Sequence, residues 1–267
     1  MKFLPALTLL LLTAAACPAV IVDIPASQDA TLYESPTGSL ANGGGDYFFA
    51  GRTLQNSGSR RRGLIEFDVA SFLPAGATIN SATLTLHASL VRTPGTVISA
   101  HRLTREWKEG TTDANGNEGQ GISPVLGNDA TWLHAVFNSV FWSGPGAAGD
   151  FNAVASGTAT ILSVNAFYSW TGLENDVRLW LANDGDNHGW LLLGDESRTA
   201  TAVQFDSRSN PNDDSRPVLR IDYTPVPEPG STLLAAALTM MSRRRRGAFV
   251  ERRGCLRRSP GVGSSRR

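Results

Sequence analysis

Short segments in which apolar and polar residues alternate constrain the fold of this chain more than any other feature. In residues 82–90, alanine and leucine alternate with threonine, histidine and serine. A period of two puts successive side chains on opposite faces of a strand, so this segment predicts a strand with one buried and one solvated face. His87 falls on the solvated face, where we expect it to contact water. Segments 64–69, 202–207 and 218–223 alternate in the same way, and Trp190–Leu193 is a short apolar run.

Glycine, asparagine, aspartate and proline separate these segments, as they separate the strands of all-β proteins. One segment has helical spacing instead: Leu173, Val177 and Trp180 recur every three to four residues. Thr171 and Glu174 have the spacing of a capping box, which predicts a short helix that ends near residue 183. We therefore predict one all-β domain over residues 20–225, a jelly roll or β-sandwich with one short helix.

The charge of the chain is divided between two regions. Residues 20–225 carry 13 lysines and arginines against 22 aspartates and glutamates, a net charge of −9. Residues 226–267 carry ten arginines against two glutamates, a net charge of +8. An acidic domain is poorly suited to nucleic acid, because that affinity comes mainly from neutralising phosphates. We therefore expect no nucleic-acid partner.

The first 19 residues have the organisation of a secretory signal peptide. Lys2 precedes an apolar run, and small residues then offer two cleavage sites before Val20. A lipoprotein signal with Cys17 as the lipidated residue is the alternative. Either interpretation predicts an exported protein. Cysteine occurs otherwise only at Cys255, so the domain is expected to fold without a disulfide.

In residues 226–246, a proline-glutamate-proline segment is followed by an apolar stretch and then by an arginine cluster. This order resembles the PEP-CTERM sorting signal of Gram-negative bacteria. The resemblance implies a transient stay in the inner membrane, with the arginines in the cytoplasm, until an exosortase removes the tail. The alternative is a proline-rich linker followed by a basic tail, and we predict a disordered tail for residues 247–267. The signal residues are Pro227, Glu228, Pro229, Arg243, Arg244, Arg245 and Arg246.

Eight short motifs occur in the order found in the DNRLRE domain family, which the chain resembles over residues 23–223. The resemblance implies a β-jelly roll of the kind attached to polysaccharide-degrading or surface proteins. The best-studied branch of that family is classed as a carbohydrate-binding module. The motifs are residues 62–69, 82–86, 102–107, 129–132, the short helix, 188–192, 205–208 and 216–219.

A polysaccharide site needs flat aromatic side chains beside polar ones, because sugars have apolar faces and hydroxylated edges. Trp180 and Trp190 are expected in the core, since they belong to the helical stripe and to an apolar run. Trp107, Trp132 and Trp142 lie among polar or glycine-rich residues and are the candidate exposed platforms. For an acidic sugar, the candidate cationic partners are Arg62, Arg102 and Arg105.

Residues 184–195 approximate the spacing of a calcium loop, with Asp184, Asp186, His188 and Asp195 as the candidate ligands. A polar turn that leads into a strand is the alternative interpretation, so calcium is a possible cofactor only.

For function, we expect a non-catalytic module of the cell envelope or extracellular matrix that binds polysaccharide. A structural scaffold with protein partners is the first alternative. A polysaccharide-acting enzyme is the second, with carboxylates drawn from Glu106, Glu109 or Asp113.

Overall fold

The computed structural model describes residues 17–125 and 127–226, and Pro18–Val226 forms a compact unit by itself. Residues 1–16 of the predicted signal peptide and the predicted sorting residues from Pro227 onward lie outside the described residues. Among the described residues, no helix is long and apolar enough to cross a membrane. The strands are β1 (Val20–Pro25), β2 (Gln28–Tyr33), β3 (Tyr47–Arg52), β4 (Arg60–Glu66), β5 (Thr78–Val91), β6 (Thr96–Arg102), β7 (His134–Val136), β8 (Val140–Phe141), β9 (Gly157–Ile161), β10 (Ala166–Trp170), β11 (Trp190–Leu193), β12 (Val203–Asp206) and β13 (Val218–Thr224); the helices are α1 (Val69–Phe72) and α2 (Glu174–Ala182).

Eleven of these strands form one curled antiparallel sheet, and β7 and β8 form a separate hairpin. One part of the curled sheet, which we call sheet A, contains β1, β13, β5, β10, β12 and β3. The other part, sheet B, contains β2, β4, β11, β6 and β9. Strand β3 joins the two parts, because it pairs with β12 and its last residues pair with β4. The predicted all-β sandwich is confirmed.

The first hydrophobic core lies between sheets A and B. Sheet A contributes Leu84, Leu86 and Phe205, and sheet B contributes Ile65 and Leu192, all fully buried. Helix α2 adds Val177 and Trp180 to the same core, and the Trp180 ring packs on Trp190 with 4.5 Å between the ring centroids. The expected burial of Trp180 and Trp190 is therefore confirmed.

A second hydrophobic core covers the outer face of sheet B. Strand residues Leu32, Leu64 and Leu191 point to this side, although Ile65 and Leu192, their neighbours in sequence, point to the first core. After β6, the chain leaves the sheet and crosses this outer face as a largely irregular segment, which we call the covering segment and whose described residues are 103–125 and 127–156. Its apolar side chains pack on the strands: Leu103, Trp107, Ala130, Trp132, Ala135, Trp142 and Ala147.

Strand positions agree with the alternating segments, and two local predictions are wrong. The strand predicted over 64–69 ends at Glu66, because Asp68 caps helix α1 by accepting a hydrogen bond from the Ser71 N–H at 3.1 Å. The predicted capping box does not form: α2 begins at Glu174, and its N-cap position is Leu173. Gly172 has φ +81°, which is outside the right-handed helical region, so the helix cannot begin directly after Thr171.

Candidate functional site

The tryptophans predicted as exposed platforms are buried, so that expectation is wrong. Trp107, Trp132 and Trp142 are 0, 6 and 5% exposed. The Trp107 indole N–H donates to the carbonyl of His188 at 3.0 Å, and the Trp142 indole N–H donates to the carbonyl of Thr131 at 2.9 Å. Their rings hold the covering segment on sheet B, so none of the three is free to stack on a sugar.

The three predicted cationic partners each form an ion pair with a carboxylate. Arg62 binds Glu196 through two nitrogens, at 2.7 and 3.0 Å, and its guanidinium lies over the Trp132 ring at 5.1 Å. Arg102 pairs with Asp176 of α2 at 3.3 Å. Arg105 pairs with Asp150 at 2.9 Å.

The four predicted calcium ligands are not brought together. Asp184 and Asp186 lie in a single 3₁₀ turn, whereas Asp195 follows the far end of β11. A four-residue strand spans about 13 Å, and calcium ligands lie about 2.3–2.6 Å from the ion, which explains the separation. Asp195 instead accepts hydrogen bonds from the Ser197 N–H and the Arg198 Nε–H, at 2.9 and 2.7 Å. Within residues 17–125 and 127–226, no group of three or more His, Cys, Asp or Glu side chains could hold a metal ion.

His87 is on the outer face of sheet A, as its position in the alternation predicts, but it is not simply solvated. Its Nδ1 lies 2.7 Å from an Asp206 carboxylate oxygen, and the exposed Phe167 ring packs against it at 4.9 Å. The pair joins β5 to β12. Because the partners are 119 residues apart in sequence, the periodicity of a single strand could not indicate it.

An open cavity of about 560 Å³ lies where the covering segment meets the start of β11. The Leu103 N–H donates to the Gly189 carbonyl at 3.0 Å, which holds residues 103–106 beside residues 188–189. The hairpin of β7 and β8 contributes Val136 and Val140 to the lining, and these two residues are paired in register. We call this cavity the hairpin groove, and its lining residues are Thr104, Arg105, Glu106, Val136, Val140 and His188.

The hairpin groove has a polar wall and an aliphatic wall. Thr104 and Glu106 are exposed on the polar wall, and Glu106 binds Lys108 with 2.6 Å between Oε1 and Nζ. The hydrogen bond from Lys108 lowers the pKa of Glu106, so this carboxylate is ionised at neutral pH. Burial lowers the pKa of His188, so its imidazole is neutral at pH 7 and can both donate and accept a hydrogen bond. The groove therefore combines hydrogen-bond donors and acceptors with two valines in its lining.

Arg105 is held in the groove wall by the turn that follows β8. Asp150 accepts hydrogen bonds from the Ser143 N–H and hydroxyl, at 2.6 and 2.8 Å, and also pairs with Arg105. Burial raises the pKa of Asp150, but these bonds outweigh burial and the net shift is downward. Arg105 therefore faces an ionised carboxylate.

Of the carboxylates considered for catalysis, only Glu106 lines the hairpin groove. Glu109 is buried, and its Oε1 accepts from the Asp29 N–H at 2.9 Å and from Arg208 Nε–H at 2.6 Å. Asp113 is in an exposed turn, where it accepts from the Asn115 N–H at 2.9 Å. The sequence prediction thus included three groove residues: Arg105 among the sugar ligands, Glu106 among the carboxylates and His188 among the calcium ligands. It missed Thr104, which lies in an irregular segment, and Val136 and Val140, whose strands of two or three residues are too short to show a period.

The chain matches no protein-family model, and a search of curated proteins finds no match. The DNRLRE and PEP-CTERM resemblances therefore stay predictions.

Proposed function

We propose that this protein is an exported, non-catalytic envelope or matrix protein, and that its domain binds a polysaccharide in the hairpin groove. The observation that supports the proposal is the pairing of an aliphatic wall, Val136 and Val140, with a polar wall of Thr104, Glu106 and His188. A sugar ring has the same division, because its C–H groups form an apolar face and its hydroxyls form a polar edge.

Binding would be tested with the compact unit Pro18–Val226 by affinity electrophoresis through gels that contain single polysaccharides. The informative change is the double variant Thr104→Ala/Glu106→Ala, since both side chains are exposed and line the groove. We expect about thirtyfold weaker binding, because two lost hydrogen bonds of about 1 kcal/mol each reduce the binding free energy by about 2 kcal/mol. Running each gel with calcium and with EDTA would also test the calcium prediction.

The matched control is Asp23→Ala/Thr83→Ala, which removes an exposed aspartate and a threonine from the outer face of sheet A. The two residues flank Arg220, which pairs with Asp23 through two bonds of 2.7 Å. We expect this variant to bind like the unsubstituted protein. If the control lost binding and the groove variant did not, the site would lie on sheet A. If no polysaccharide retarded the protein, the scaffold alternative would replace the proposal.

We propose further that residues 226–246 sort the exported protein through the inner membrane to an exosortase. The charge change from the acidic domain to the arginine cluster supports this, since arginines beside an apolar run stay on the cytoplasmic side. Deleting residues 226–267 should move the protein from the membrane fraction to the soluble exported fraction. Unchanged membrane retention on fractionation would contradict sorting by this tail.

A further inference from the structure

The basic side chains at the hairpin groove are each joined to a carboxylate. Arg105 pairs with Asp150 at 2.9 Å, and Lys108 pairs with Glu106 at 2.6 Å. Lys108 is beside the lining, and His188, the other basic residue of the lining besides Arg105, is uncharged at neutral pH because burial lowers its pKa. Among the residues that the structure describes, the groove therefore presents no net positive charge to a ligand.

The other two predicted cationic partners, Arg62 and Arg102, are engaged in the same way. The Arg62 side chain is 12% exposed and binds Glu196 and the Gly146 carbonyl, the latter at 2.6 Å. The Arg102 side chain is 19% exposed and pairs with Asp176. Moving Arg102 to a ligand would leave the buried Asp176 carboxylate without its cationic partner, which is costly. Moving Arg62 would leave the partly buried Glu196 with Arg60 alone, at 3.6 Å.

The surroundings of the groove add negative charge. Residues 20–225 carry a net charge of −9, and the charges of Glu106 and Asp186 act on His188 against that of Arg102. A polyanion would therefore approach against the field of the domain, and its carboxylates or sulfates would lose water without gaining a cation. A neutral glycan has no such cost, because hydroxyls need only the donors and acceptors that the polar wall supplies.

We propose that the hairpin groove takes a neutral glycan and discriminates against polysaccharides that carry carboxylate or sulfate groups. This inference rests on the proposed function. It replaces the sequence-based expectation that Arg62, Arg102 and Arg105 serve an acidic sugar.

The test compares polymers that differ in charge and not in backbone. Alginate and polygalacturonate would be run beside the same polymers after carboxyl reduction, together with galactomannan, xylan and hydroxyethyl cellulose, at 20 and 200 mM salt. We expect retardation by neutral polymers, by the same amount at both salt concentrations, and none by the uronates. Binding of uronates alone would overturn this inference and leave the polysaccharide-binding proposal standing. Binding of none of the polymers would remove both.

A charge variant tests whether the pairing of Lys108 with Glu106 keeps polyanions out of the groove. Glu106→Gln releases the Lys108 ammonium at the groove, whereas Asp23→Asn releases Arg220 on the outer face of sheet A and changes the net charge equally. We expect Glu106→Gln to gain several-fold affinity for polygalacturonate at 20 mM salt, and Asp23→Asn to gain none. An equal gain in both variants would overturn the pairing argument. So would an unsubstituted protein that binds polygalacturonate as tightly as the Glu106→Gln variant does.

Discussion

The outer faces of sheets A and B are built from the same kind of strand, yet one is open and the other is covered. On sheet A, the outward side chains are polar or exposed, such as Thr85, His87 and Arg220. On sheet B, the outward Leu32, Leu64 and Leu191 are fully buried under the covering segment. The difference shows that a sandwich strand has one face fixed by the central core, while the environment of its other face depends on distant parts of the chain.

The carboxylates of the two faces reflect the same difference. Asp23, on the open face, is half exposed, and the hydrogen bond from Arg220 lowers its pKa. Glu66, at the end of β4 in sheet B, is largely buried, and burial raises its pKa to about 7. Solvent and a partner favour the charged form on one face, and loss of solvent opposes it on the other.

The test with the largest expected effect on stability removes one aromatic ring from each outer face. Trp107→Ala should destabilise the domain by about 3–5 kcal/mol, because it leaves a cavity in the second core. It also leaves the His188 carbonyl without its indole donor. Phe167→Ala, on the open face where the ring is 56% exposed, should cost less than about 1 kcal/mol. Urea unfolding of both variants measures the two changes, and equal losses would contradict the division into covered and open faces.

A glycine in the covering segment gives a second test. Gly146 has φ +67°, and a Cβ there would lie 2.7 Å from a ring carbon of Trp132. Gly146→Ala should cost roughly 2–4 kcal/mol, from backbone strain together with overpacking. Gly95, at φ +83°, has nothing within 4 Å of such a Cβ, so Gly95→Ala should cost only the strain, about 1–2 kcal/mol. Thermal unfolding compares the two, and a Gly95 variant as unstable as the Gly146 variant would show that contact with Trp132 is unimportant.

The smallest expected effect concerns the pH dependence of stability. The folded-state pKa of Glu66 is raised from 4.5 to about 7, so its stabilising contribution is complete below pH 4.5 and is lost as the pH rises through 7. The glutamine side chain of the Glu66→Gln variant cannot ionise, so this variant should be more stable than the unsubstituted protein at pH 8 by roughly 1–3 kcal/mol. At pH 4 the two proteins should be equally stable.

The open face supplies the control for that measurement. The pKa of Asp23 is lowered, so its contribution is present above the unfolded pKa of about 3.8 and is lost as the pH falls. Since its pair with Arg220 is exposed, Asp23→Asn should change stability by less than about 1 kcal/mol at pH 8. Unfolding curves at pH 4, 6 and 8 would give both profiles, and a Glu66 variant with an unchanged profile would refute the burial argument.

Part of the covered face could have been predicted from the sequence. The Trp190–Leu193 run is apolar at every position, which is typical of a strand buried on both sides, whereas 82–90 alternates because sheet A is covered on one side. The run therefore indicated a second layer. It did not indicate which segment supplies that layer, because the covering segment has no period and its tryptophans have polar or glycine neighbours.

The sequence by itself determined five of the strands, β4, β5, β11, β12 and β13, together with the burial of Trp180 and Trp190 and the division of charge between residues 20–225 and 226–267. These follow from local periodicity and composition, which act through neighbours in the chain. Only the tertiary structure decided that Trp107, Trp132 and Trp142 are buried and that the arginines are paired. Arg62 and Glu196 are 134 residues apart, and contacts between such distant residues exist only once the sheets have folded around their common core.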